Sequence, residues 1–126
     1  MSYAALNFTG CTVTSIDLTD ASPVYTNPAI LTAPRKIAGS VYALWSGDAN
    51  NNKNVKYNGL SNDKDRILLT VGAGNQNNTL SPVYRMEDLN MDGKVKYNST
   101  DNDRVIILDN IGVGTPNNII NQHTPN

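Results

Sequence analysis

Asp88, Asn90 and Asp92 stand at alternate positions and are followed at once by Gly93, Lys94 and Val95. Short oxygen-bearing side chains at every second residue let one loop offer oxygens to a common centre from several directions. The chemistry that suits such a loop is capture of a hard divalent cation. With Asp88 as the first position, Gly93 is the sixth, where a sharp turn needs a positive φ. Lys94, the seventh, would contribute its backbone carbonyl. Val95, the eighth, would join this loop to a second one through a short β-bridge. The twelfth position is Ser99, not the glutamate that commonly closes such a shell. Carboxylates follow shortly after it, at Asp101 and Asp103. Calcium takes roughly six to eight oxygens at about 2.3–2.6 Å and fits this donor set, whereas magnesium keeps its waters. Zinc would want thiolate or imidazole ligands, which the loop lacks.

The pattern occurs twice. Residues 48–79 placed over 88–119, without a gap, give 14 identities in 32 positions, too many for chance. Asp48 falls on Asp88, Asn50 on Asn90, Val55-Lys56-Tyr57-Asn58 on Val95-Lys96-Tyr97-Asn98, and Asn62-Asp63 on Asn102-Asp103. Only Asp103 of the two late carboxylates has an acidic counterpart, Asp63, because Asp101 falls on Ser61. Asp63 and Asp103 are therefore expected to close the two shells, with Asp101 a further ligand or a helix cap. The first loop offers Asp48, Asn50, Asn52 and Asn54, one carboxylate fewer at the fifth position, and Lys53 replaces the glycine. A lysine forced into the left-handed region costs about 1 kcal/mol, so two calcium sites are expected, the first weaker than the second.

Something must hold these loops in place. After each Val-Lys-Tyr segment the sequence predicts a helix of about two to three turns. In the first copy Ser61, Asn62 or Asp63 can cap it, Ile67, Leu68 and Val71 form its apolar face, and Gly72 ends it. In the second, Thr100, Asp101 or Asn102 can cap, Val105, Ile107, Leu108 and Ile111 pack, and Gly112 ends it. Neither helix is long enough to stand alone, so the two units are expected to pack about a pseudo-two-fold axis. Residues 1–45 are rich in Thr, Val, Ile and Ala, and strands are expected at Ala5–Phe8, Cys11–Leu18 and Lys36–Trp45. The fold class expected is α+β. It comprises a strand-rich segment 1–45, a tandem loop-helix region 46–114 built from units 46–79 and 86–119, and an extended polar tail 115–126.

Composition agrees and excludes other classes. There are ten aspartates to a single glutamate, and 19 asparagines, a bias toward residues that shape turns with side-chain oxygens. A net charge of -1 offers no basic stripe to nucleic acid. No apolar run is long enough to span a membrane. The lone Cys11 cannot form an intrachain disulfide. The lone histidine, His123, reads as an exposed bystander in the tail. Ser46 therefore has no triad partner, and no catalysis is expected.

Asp88-Leu-Asn-Met-Asp-Gly-Lys-Val-Lys-Tyr-Asn-Ser-Thr-Asp resembles a dockerin type I calcium loop with the start of its helix. Leu44-Trp45-Ser46-Gly47-Asp48, Val55-Lys56-Tyr57-Asn58-Gly59, Ser61-Asn62-Asp63 and Thr115-Pro116-Asn117-Asn118 are similar to dockerin-like and hemagglutinin-like modules near the C-termini of secreted Bacteroidota proteins. The resemblance covers about residues 30–126 and implies a secreted, cell-surface protein. The expected function is a calcium-stabilised structural module that partners other protein chains, copies of itself included. Its rivals are an adaptor presenting Lys64, Arg66, Arg104 and Asp109 to a specific protein, and a carbohydrate-binding module using Trp45, Tyr42, Tyr57, Tyr84 and Tyr97.

Overall fold

A computed structural model describes residues 17, 19–20 and 24–124. The fold is mixed α+β. The strands expected at Ala5–Phe8 and Cys11–Leu18 lie outside the described residues, apart from Asp17. The described residues up to Trp45, with those from Gln122 on, form one compact unit, and Ser46–Asn121 form another.

In the first unit the apolar run Lys36–Trp45 is broken into a hairpin. Strand β1 (Lys36–Ala38) pairs antiparallel with β2 (Val41–Ala43), Ile37 opposite Tyr42. The two-residue turn between them needs left-handed backbone, which Gly39 supplies at φ +64°. The Arg35 guanidinium lies 4.3 Å from the centre of the Tyr42 ring. His123 is no bystander: its Nδ1 accepts the Asn27 N–H at 2.8 Å, and its Nε2 meets the Thr32 carbonyl. A neutral imidazole accepts at one nitrogen and donates at the other, so the ring suits both contacts.

The second unit is built from the repeat. In order it holds β3 (Asn54–Lys56), α1 (Asp63–Val71), β4 (Thr79–Leu80), β5 (Val95–Lys96), α2 (Asp103–Ile111) and β6 (Ile119–Asn121). The expected bridge between the two loops is not formed. Val55 instead pairs with Ile120 of β6, and Val95 with Leu80 of β4. The strand of each loop thus joins the chain emerging from the other copy's helix. The segment read as an extended tail turns at Thr115–Asn118 before entering β6.

Both helices start at the residue after an asparagine, Asn62 or Asn102, and end at Gly72 or Gly112. The Asn62 side chain accepts the Asp65 N–H at 2.9 Å, whereas Asn102 makes no such cap and its Oδ1 is buried without a partner. Ile67 and Val71 of α1, and Ile107 and Ile111 of α2, are buried, one face at four-residue spacing. With Ala49, Val55, Val95, Tyr97 and Ile120 they make the core. Leu68 and Leu108 are only half-buried and Val105 is exposed, so the apolar face is narrower than the sequence suggests.

Each helix also grips the entrance of the other loop. Glu87, 2% exposed, accepts from Arg66 Nε at 2.7 Å and from Thr70 Oγ1 at 3.0 Å. Asn110 of α2 donates to the Ser46 carbonyl at 2.7 Å. The residue at Glu87's place in the first copy is Gly47, where a Cβ would lie 2.8 Å from Val55 Cγ1.

Candidate metal loops

The first-position carboxylates close both loops on the backbone. Asp48 Oδ1 accepts the Asn52 N–H at 2.9 Å, and its Oδ2 the Lys53 N–H at 2.9 Å. Asp88 does the same with Asp92 at 3.1 Å and Gly93 at 2.9 Å. The alternate positions add the next turns. Asn50 Oδ1 accepts from the Asn52 N–H at 3.1 Å, and Asn52 Oδ1 from the Asn54 N–H at 3.1 Å. In the second loop Asn90 Oδ1 accepts from Asp92 at 3.0 Å, and Asp92 Oδ1 from Lys94 at 2.9 Å. These are Asx turns, in which a short side chain takes the N–H two residues on.

The sixth position is left-handed in both loops. Gly93 has φ +77° and Lys53 φ +71°. Positive φ also recurs at the equivalent pairs Asn51 and Met91, and Ser61 and Asp101. The exposed Asp101 offers its carbonyl, which accepts from Asn90 Nδ2 at 2.9 Å, and the helix cap beside it is Asn102. Ser61, its counterpart, accepts from Asn50 and Asn52 in the same way.

Asp63 and Asp103 sit at the centre of the two arrangements, each 0% exposed. Asp63 Oδ1 accepts from the Asn50 N–H at 3.3 Å and its Oδ2 from the Lys56 N–H at 2.8 Å. Asp103 Oδ1 accepts from Leu89 at 2.8 Å and Asn90 at 3.4 Å, and its Oδ2 from Lys96 at 2.8 Å. Each therefore ties its loop to the first residue of its helix. Among the described residues, no lysine or arginine pairs with Asp48, Asp63, Asp88 or Asp103. Burial pushes the Asp63 carboxyl up to about 6, against the pull of its N–H donors, and the nearby Asp48 charge adds to the rise. Asp103 is raised for the same reasons, burial first and Asp88 beside it.

Among the described residues no three or more carboxylate, imidazole or thiol side chains converge into a metal-holding group. The further oxygens of each loop come from asparagines and backbone, a donor set suited to a hard cation. Asn54 Oδ1, at the seventh position of the first loop, is buried without a hydrogen-bond partner. Asp48, Asn50, Asn52, Asn54 and Asp63 are thus brought into one loop-and-helix junction, and Asp88, Asn90, Asp92, Lys94 and Asp103 into the other. Those residues fit calcium by donor chemistry.

Sequence reasoning missed two groups. One is Glu87, whose only signal was being the single glutamate. The other is Lys96, whose ammonium lies 3.1 Å from Asp92 Oδ2. A lysine four residues after an aspartate signals a pair on a helix, and this stretch is loop and strand.

Comparison of the chain with protein-family models, curated proteins and solved structures finds no match.

Proposed function

We propose that Ser46–Asn121 is a calcium-stabilised, non-catalytic structural module of an extracellular protein. Its two loop-helix units would be related by a dockerin-like pseudo-two-fold axis. The observation that carries this reading is the duplicated set of hydrogen bonds around two fully buried aspartates that, among the described residues, no cationic side chain neutralises. A buried carboxylate with a second one nearby is costly unless a positive charge joins it. A divalent cation bound between Asp48 and Asp63, and between Asp88 and Asp103, would supply that charge and draw loop and helix together. Asn50, Asn52 and Asn54 would complete the first shell, and Asn90, Asp92 and Lys94 the second. The reciprocal strand pairing supports the pseudo-two-fold relation. Calcium is plentiful outside cells, so even modest sites would stay filled.

A structural role is favoured over an adaptor by what three of the candidate contact residues already do. Arg66 is held by Glu87. Lys64 and Arg104 lie over the Tyr57 and Tyr97 rings at 4.6 and 4.7 Å. Self-association belongs to this reading. Ile37, Val41 and Leu44 are exposed on and beside the β1–β2 hairpin, and these apolar side chains would pack against another copy of the chain. Among the described residues no helix is long and apolar enough to cross a membrane.

Isothermal titration with calcium chloride tests the reading. Two ions should bind per chain, one being lost in Asp48→Ala and the other in Asp88→Ala. A chain that takes up no calcium rejects it. Sedimentation at high concentration tests association, and a strict monomer counts against that part alone.

A further inference from the structure

Asp92 is the carboxylate that distinguishes the two loops, since Asn52 stands in its place in the first. It is already engaged on both oxygens. Its Oδ1 accepts the Lys94 N–H at 2.9 Å, and its Oδ2 faces the Lys96 ammonium at 3.1 Å. That ammonium also donates to the Thr100 carbonyl at 3.2 Å, and the lysine side chain is 11% exposed. Lys96 is fixed at both ends. Its backbone pairs with Thr79, and its N–H donates to Asp103 at 2.8 Å. The first loop carries the same lysine, Lys56, but its ammonium reaches the Leu60 carbonyl at 2.9 Å and, among the described residues, pairs with no carboxylate. The extra negative charge and an internal positive charge therefore occur together, and only in the second loop.

Resting on the reading of the loops as calcium sites, we propose that Lys96 is an internal competitor cation that sets the affinity of the second loop. A divalent ion must take Asp92 Oδ2 from the Lys96 ammonium before that carboxylate can join its shell. An ammonium held within a few ångströms of the site repels an entering cation, and shielding by protein keeps that repulsion stronger than in water. The benefit of Asp92 over Asn52 is correspondingly reduced, and the two loops lie closer in affinity than their carboxylates suggest. Without metal, the ion pair helps keep the second loop folded.

The test is an NMR titration of the full chain with calcium chloride alone. It follows the Gly93 and Lys53 amides, which donate to the first-position aspartates of the two loops. Lys96→Met keeps the buried stem and removes the charge. The Gly93 midpoint should move to roughly ten-fold lower calcium, with the Lys53 midpoint unmoved. Lys56→Met should move neither. A Gly93 midpoint that stays or rises in a Lys96→Met chain with wild-type amide dispersion overturns the proposal. So does an equal gain at Lys53 in Lys56→Met, which would make net charge the cause. Should Lys96→Met lose its dispersion, Lys96→Gln is read in the same way. Amides that ignore calcium in every chain would instead reject the calcium reading, and the proposal with it. A Gly93 response seen only in Lys96→Met would support it.

Discussion

At the scale of single residues, the two copies act as each other's control. Lys53 and Gly93 share a left-handed backbone, φ +71° and +77°. That conformation costs a side-chain-bearing residue about 1–2 kcal/mol, partly offset by the greater entropy that glycine loses on folding. Lys53→Gly should therefore raise stability by up to about 1 kcal/mol in chemical denaturation, whereas Gly93→Lys should lower it. Asp63 gives the opposite kind of signal. Its folded value of about 6 lies above the ordinary 3.8, so the native state holds the proton more tightly than the unfolded chain. Its contribution is then fully present below about 3.8 and is lost as pH rises through about 6. In calcium-free buffer the protein should lose on the order of 2 kcal/mol between those limits, and Asp63→Asn should flatten the slope. The alternating oxygens and the turn at position six were legible in the sequence because they obey local rules. Lys96 facing Asp92 was not, because its direction is set by a strand pairing that the spacing does not encode.

At the scale of elements, the helices were easier to read than the strands. An asparagine before the first turn, apolar residues four apart and a glycine after the last turn bound α1 and α2 from sequence alone. The strands are two or three residues long, too short for an alternating pattern to form, and their partners are chosen by how the copies pack. The expected bridge between Val55 and Val95 failed for that reason. Each valine is buried instead against the other copy's outgoing chain. The equivalence of the helices has a measurable consequence. Ile67→Ala and Ile107→Ala, each removing a side chain with 0% exposure, should each cost about 2–5 kcal/mol. Leu69→Ala, at an exposed position of α1, should change stability by no more than about 0.5 kcal/mol. Glu87→Ala would leave Arg66 and Thr70 without their shared acceptor and should cost about 2 kcal/mol.

At the scale of the whole molecule, Ser46–Asn121 is a small unit with a core of few side chains. Two short helices and two pairs of short strands leave little apolar burial to oppose chain entropy. Such a unit gains much from any ligand that binds only the folded state. Calcium at about one hundred times its dissociation constant would add about 2.7 kcal/mol for each site. The change from Thr- and Val-rich sequence to Asp- and Asn-rich sequence falls near Trp45, where the described residues divide into two units. The tie between His123 and the turn at Asn27–Thr32 was not, since nothing in a polar tail marks which residue will reach back across the chain. Thermal unfolding of the full chain at neutral pH, with millimolar calcium and then with chelator, reads calcium-linked stability. Calcium binding at both loops requires a midpoint higher by at least about 10 °C with calcium, and a much smaller difference when Asp63 and Asp103 are both changed to Asn. Superimposable curves with and without calcium would contradict it.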